Sequence, residues 1–355
     1  MRMGFSQLER NEMRNVTLGS TGITVPQNGF GALPIQRRTV DEAVEILRNA
    51  FEGGITYFDT ARAYSDSETK LGIAFEGIRD KLYIATKTAA TTGEGVRKDL
   101  ETSLRELCTD YIDLYQLHMV SQVYAPGDGT GVYEALLEAK EAGKIRHIGV
   151  SAHKIGVAFD LVESGLYETL QFPFSYLSDA KDFELARLCA EKNVGFIAMK
   201  GMAGGLITRS DVAMAFLENY PNVLPIWGIQ TQKELEEWLS YMDSTPAYTA
   251  EMAEFVAAEQ KELSGNFCRG CGYCMPTCPA GITINQCARM SLMLRRAPSE
   301  AWLTEHWQKE MKKTEECINC YECTRHCPYE LDTPELLRRN YEDYKKVLAG
   351  EVKVQ

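Results

Sequence analysis

TYFDT (56–60), LYIATKT (82–88) and DLYQLH (113–118) are short apolar runs that each close on polar residues. ETKLGIAFEGI (68–78) and EGVRKDLETSLREL (94–107) lie between them, with apolar residues at helical spacing. Strand and helix therefore alternate here. The alternation extends both ways, to strand-like QNGFGA (27–32), IRHIGVS (145–151), TLQFPF (169–174), GFIAMK (195–200) and VLPIWGI (223–229). Helical stretches such as DEAVEILRNAFEGG, VYEALLEAKEAG, AKDFELARLCAEKN and QKELEEWLSYM intervene, and most run into Gly or Asn, the residues that favour helix C-termini. Eight βα units in about 250 residues predict an α/β fold of (β/α)8 type. The runner-up, a doubly wound open sheet, lacks G-x-G-x-x-G at the first βα turn.

The chain of 355 residues exceeds what one core usually supports, and its composition is that of a globular protein. No run is long and apolar enough to span a membrane, and the opening MRMGFSQLERNEMR is too polar for a signal peptide, so the expectation is a cytoplasmic location. A net charge of −12 argues against nucleic-acid or anionic-membrane partners. The charge is uneven: 14 basic and 13 acidic side chains fall in 260–355, which leaves −13 on the rest. The boundaries predicted are a barrel over 1–245, a polar helical linker over 246–266 and a mostly helical domain over 267–355. In the last, INQCARMSLMLRR, SEAWLTEHWQKEMKK and TPELLRRNYEDYKKVL read as helices.

Nine of the 11 cysteines lie after residue 260. Cys268-x2-Cys271-x2-Cys274-x3-Cys278-Pro279 recurs as Cys317-x2-Cys320-x2-Cys323-x3-Cys327-Pro328, the spacing of bacterial [4Fe–4S] ligation. Three thiolates two residues apart can wrap one cubane. The fourth, beyond a longer spacer and followed by Pro, serves the other cluster. One cluster is thus expected on Cys268, Cys271, Cys274 and Cys327, and the other on Cys317, Cys320, Cys323 and Cys278. Zinc, which usually takes paired C-x2–4-C ligands, fits this pattern poorly. Cys108, Cys189 and Cys287 lie outside the motifs in helical patterns and read as small buried hydrophobes.

Polar residues also gather where the barrel would hold a site. Asp59, Lys87 and His118 end successive strands, and Tyr64 follows in the loop after the first of these. The C-terminal ends of strands are where barrel enzymes keep their chemistry. The combination suggests proton donation to a carbonyl as it accepts hydride: Tyr64 is the acid, Lys87 lowers its pKa, Asp59 holds the lysine and His118 polarises the carbonyl. Singly, each has a bland reading as a loop aromatic, a core histidine or a structural ion pair. Their joint placement favours the active one.

YFDTARAYSDSETKLGIAF (57–75), YIATKT (83–88), VRKDLETSLRELCTDYIDLYQLH (96–118), GKIRHIGVSAHK (143–154) and IAMKGMAGG (197–205) resemble the aldo/keto reductase family. The resemblance spans roughly residues 14 to 243. It implies a TIM barrel that binds a nicotinamide dinucleotide without a Rossmann fold, and a role for Asp59, Tyr64, Lys87 and His118 in carbonyl reduction. With the C-terminal motifs, the chain looks like the iron–sulfur subgroup of that family. The family's nicotinamide positions read Ser151, Ala152 and Gln171 here, and the usual stacking aromatic is Met199. Where the family carries Pro-Gly and a basic residue, this chain has Trp227, Gly228, Ile229 and Gln230, and the neutral Gln230 gives no preference for NADP.

The leading expectation is an oxidoreductase acting on a small carbonyl compound, with NAD(P)H and two [4Fe–4S] clusters. Hydride carries two electrons and a cluster passes one, so coupling them normally needs a flavin or another converter, yet no flavin fingerprint is visible. Two alternatives stay open: a ferredoxin-coupled reductase that uses no nicotinamide, and a non-catalytic barrel serving as an electron-transfer or redox-sensing partner. Arg289, Arg295, Arg296, Lys309, Lys312 and Lys313 suggest a basic patch for an acidic ferredoxin or flavodoxin.

Overall fold

A computed structural model describes residues 13–263, 267–270, 272–296, 299–327 and 329–354. Cys271 and Pro328 lie outside the described residues, as does the side chain of Arg296. The chain divides into two compact units, one formed by Met1–Gly201 with Asp211–Thr249 and the other by Met202–Ser210 with Ala250–Gln355.

In the first unit a hairpin of β1 (Asn15–Thr17) and β2 (Thr24–Pro26) precedes eight parallel strands. These are β3 (Gly29–Gly31), β4 (Tyr57–Asp59), β5 (Tyr83–Thr88), β6 (Ile112–Leu117), β7 (Ile145–Ser151), β8 (Thr169–Pro173), β9 (Gly195–Met199) and β10 (Val223–Gly228). They pair in chain order, and β10 closes on β3. The barrel is therefore complete, and each of the eight expected strands is one of its staves. Its helices are α1 (Val40–Glu52), α2 (Ser67–Ala74), α3 (Gly93–Glu106), α4 (Val132–Glu141), α5 (Ile155–Glu163), α6 (Ala180–Glu191), α7 (Ser210–Glu218) and α8 (Gln232–Asp243). The starts of α1, α3, α6 and α8 are fixed by side chains that satisfy otherwise orphaned amides. Thr39 with Glu42, Asp179 with Asp182 and Thr231 with Glu234 each form a reciprocal capping box.

The hairpin supplies an apolar floor. Val16, Leu18, Ile23 and Val25 are buried against Tyr57, Ala85, Leu114 and Ile197 inside the barrel. Its turn needs glycine at residue 19, because φ is +52° and a Cβ would stand 2.3 Å from the Gly195 nitrogen. With this end plugged, polar chemistry is left to the C-terminal ends of the strands.

The second unit is helical among the described residues, with α9 (Ala250–Glu262), α10 (Ile284–Cys287), α11 (Met290–Arg296), α12 (Glu305–Lys312), α13 (Glu322–Arg325) and α14 (Thr333–Leu348). The stretch INQCARMSLMLRR, expected as one helix, is broken between α10 and α11. Asn340 of α14 holds this break, accepting from the Ser291 amide at 2.8 Å and donating to the Ala288 carbonyl at 3.2 Å. Ile282, Met290, Leu294, Met311, Leu337 and Tyr344 build its core.

Two expectations need correction. Cys189 and Cys287 are buried, and burial pushes each thiol up to about 12, but Cys108 is exposed at φ +50°, just past the end of α3. The basic patch is also thinner than its sequence suggests. Arg289 is buried, and Arg295 is clamped by both oxygens of Asp343 at 2.5 and 2.7 Å. No helix among the described residues is long and apolar enough to cross a membrane.

Candidate functional site

The parallel register sets Asp59 at the end of β4 opposite Ala85, and Lys87 of β5 opposite Gln116 of β6. Lys87 Nζ donates to Asp59 Oδ1 at 2.5 Å and to the Thr60 carbonyl at 2.7 Å. Both side chains are buried. Asp59 also accepts from Gln116 Nε2 at 3.3 Å and from Gln171 Nε2 at 3.4 Å. Burial pushes the Asp59 carboxyl up from its usual value, while Lys87 and the two amides oppose the shift. The pair is thus fully coordinated, as a buried ion pair must be to persist.

Tyr64 and His118 stand beside that pair. Lys87 Nζ lies 5.3 Å from the centre of the Tyr64 ring, and the His118 ring meets Tyr64 edge-on at 5.6 Å. The four residues expected to act together are neighbours. Burial dominates the His118 imidazole, and with the Lys87 charge it lowers the pKa to about 3, so the ring is neutral at physiological pH. For Tyr64 the balance differs from the expectation. Lys87 acts to lower its pKa, but burial acts more strongly, with Asp59 adding to it, and the hydroxyl is pushed up. The Tyr64 hydroxyl is accordingly held in its protonated form.

The loop that carries Tyr64 is tied down by groups that sequence reasoning missed. Thr60 Oγ1 donates to Ser67 Oγ at 2.8 Å, and Arg62 bridges the buried Glu68 to Glu106. Glu68 also accepts from Thr86 Oγ1 of β5 at 2.6 Å. Gln116 was missed as well, because a polar residue inside an apolar strand run carries no signal of its partner.

Of the positions singled out for a dinucleotide, Ser151 of β7 has its hydroxyl engaged, accepting from the Met119 amide at 2.8 Å and donating to the Leu117 carbonyl at 3.4 Å. Gln171 turns its amide nitrogen to Asp59 and keeps a buried Oε1 with no hydrogen-bond partner, as does Gln116. Such an orphaned acceptor fits an amide donor from a ligand. Met199 ends β9 and packs on the barrel interior. Gly228 ends β10, where a Cβ would meet Pro34 at 3.1 Å. Gln230 accepts from Arg37 Nη1 at 3.5 Å, so a cation stands beside it although residue 230 is neutral. Trp227, another departure from the family pattern, stacks on Trp238 with centroids 3.9 Å apart.

In the second unit the thiols surround two small cavities. Cys268, Cys274 and Cys327 line the first, with Arg269, His326 and Tyr329. Cys278, Cys317, Cys320 and Cys323 line the second, with Ile282, Ile318 and Leu337. Cys278 is therefore on the cavity of the other motif, and Cys327 likewise. None of the described cysteines is in a disulfide. The described thiols of the two motifs are spread around the walls of these cavities. That donor chemistry fits two thiolate-bound clusters.

Comparison with known proteins supplies the class. The profile of the Aldo/keto reductase family matches residues 27–219, and that of a 4Fe-4S dicluster domain matches residues 267–332. An uncharacterized oxidoreductase of Bacillus subtilis, YqkF, is 30% identical over 217 residues, which is 57% of this chain and 69% of that protein. L-galactose dehydrogenase of Arabidopsis thaliana is 30% identical over 211 residues, 54% of this chain and 66% of that one. Among solved structures, the holo form of an aldo-keto reductase from Bacillus halodurans superposes with a TM-score of 0.62 at 23% identity, covering 70% of this chain and 96% of that chain.

Proposed function

Because the chain belongs to the aldo/keto reductase family and carries a 4Fe-4S dicluster domain, we propose that this oxidoreductase reduces a small carbonyl compound, or oxidises the corresponding alcohol, at Tyr64. The observation that carries the reading is the grouping of Tyr64 and His118 beside a fully buried Asp59–Lys87 pair.

Reduction of a carbonyl places negative charge on its oxygen. Tyr64, kept protonated by burial, gives its hydroxyl proton to that oxygen, and the resulting phenolate faces the Lys87 cation. Neutral His118 orients the oxygen through a ring N–H. Asp59 is a positioning residue: it fixes Lys87 and with it the charge beneath the Tyr64 ring.

A nicotinamide dinucleotide, when bound, supplies hydride, and Ser151, Gln171, Met199, Gly228 and Gln230 are the residues that would hold it. Arg37, beside Gln230, is the cation available to an adenosine phosphate. Cys268, Cys271, Cys274 and Cys327, and Cys317, Cys320, Cys323 and Cys278, are the residues that would hold two [4Fe–4S] clusters, which when bound would supply single electrons. A ferredoxin or flavodoxin is the class of carrier that would exchange electrons with them.

A second reading dispenses with the nicotinamide. It is supported by Ser151, whose hydroxyl is engaged with backbone groups, and by Gln171, whose amide nitrogen is turned to Asp59. Anaerobic absorbance and electron paramagnetic resonance spectra before and after NADH, NADPH or reduced ferredoxin separate the two. Dinucleotide oxidation that depends on an added aldehyde or ketone supports the first reading. Turnover supported by ferredoxin alone supports the second, and no carbonyl turnover with any donor contradicts both.

A further inference from the structure

Arg289 lies between α10 and α11 and is 6% exposed. Its Nε and Nη2 share Gln286 Oε1 at 3.2 and 3.0 Å, while Nη1 is buried without a hydrogen-bond partner. Two glycines make room for that nitrogen. A Cβ would stand 2.7 Å from Nη1 at Gly204 and 2.9 Å from it at Gly270, both of which hold a positive φ. Gly270 sits within the first cysteine motif, and its amide donates to Cys268 Sγ at 3.4 Å.

Burial withdraws the Arg289 guanidinium from water. Arginine nonetheless stays charged in proteins, and a buried cation without a counter-charge is costly. No carboxylate bonds to it among the described residues. A thiolate-bound cubane, which is an anion when oxidised and gains one more negative charge when reduced, is the counter-charge that fits. The second cavity offers a contrast among the described residues: Arg269 and His326 line the first, whereas Ile282, Ile284, Ile318, Pro334 and Leu337 line the second beside the thiols, with no Lys, Arg or His.

We infer that Arg289 raises the reduction potential of the cluster on Cys268, Cys274 and Cys327 above that of the cluster on Cys278, Cys317, Cys320 and Cys323. The inference rests on the two-cluster reading proposed above. A fixed positive charge in a poorly solvated place favours the more negative, reduced form, and net charge and solvent exposure are established levers on cluster potential. With both clusters bound, that order would favour transfer of an electron, delivered by a low-potential one-electron carrier, from the Cys317 cluster to the Cys268 cluster. The first is oxidised, the second reduced, and no bond or proton moves. Arg289 is a positioning and tuning residue for this transfer.

The test is a redox titration, followed by electron paramagnetic resonance, of the full chain purified anaerobically with its clusters, as wild type, Arg289→Gln and Arg289→Lys. In Arg289→Gln, at a fixed solution potential, the reduced-to-oxidised ratio of one cluster should fall at least tenfold, which is 59 mV for a one-electron couple. That cluster should be the one whose signal survives Cys278→Ala, and the other should not move. Arg289→Lys should keep the wild-type potential. Unchanged potentials in Arg289→Gln, an equal shift in both clusters, or a shift confined to the other cluster would overturn the inference. If Arg289→Gln loses iron, Arg289→Lys decides: the wild-type potential supports the inference and a tenfold shift overturns it. A wild-type protein without two cluster signals would instead contradict the two-cluster reading.

Discussion

Lys87 Nζ reaches Asp59 Oδ1 at 2.5 Å, where both side chains are at most 3% exposed. Each charge is therefore the other's replacement for water. Lys87→Met leaves a buried carboxylate unpaired and should cost about 3–5 kcal/mol of stability. Adding Asp59→Asn to that variant should recover much of the loss, because the remaining group is neutral. Chemical denaturation of the two variants checks this. A single variant as stable as wild type would show the pair to be solvated.

His118 and His153 predict acid sensitivity. Burial is the main cause that lowers each to about 3 in the folded chain, whereas an unfolded histidine titrates near 6.5. Between those values the unfolded chain binds more protons, so this stability is present above pH 6.5 and is lost as pH falls toward 3. The slope reaches at most about 1.4 kcal/mol per pH unit for each histidine. Asp59 and Glu68, raised by burial, act in the opposite sense, so the comparison is made against His118→Phe. Melting curves from pH 7 to 4 should show the variant losing stability less steeply than wild type. Parallel slopes would place a charged imidazole in the folded site.

Cys278 shares its cavity with Cys317, Cys320 and Cys323, not with Cys268 or Cys274 of its own motif. Cys278→Ala should therefore damage the cluster of the second motif and spare that of the first. Iron content with electron paramagnetic resonance distinguishes the two. Selective loss of the cluster on Cys268 and Cys274 would refute the crossed ligation.

The barrel was legible because buried parallel strands read as short apolar runs, and each such run ends within one residue of the end of its stave. α5 (IGVAFDLVE) and α7 (SDVAMAFLE) were less so, since apolar residues occupy so much of each that no period stands out. Asp59, Lys87 and His118 could be found because each closes a strand. Gln116 could not, because its bond to Asp59 depends on register across the barrel. The direction of the Tyr64 shift was also hidden: sequence names the neighbouring lysine, but only coordinates weigh it against burial. Charge counting likewise put Arg289 on the surface, where the packing of α10 and α11 buries it.

Turnover of Tyr64→Phe bears most directly on the central claim. This substitution removes the hydroxyl and keeps the ring against His118 and Lys87. With an aldehyde or ketone that the wild type reduces, the turnover number should fall by about 10²–10⁴, the usual worth of a positioned general acid, while KM and iron content stay near wild type. A Tyr64→Phe enzyme with turnover close to wild type would contradict the account, because the proton would then come from another group.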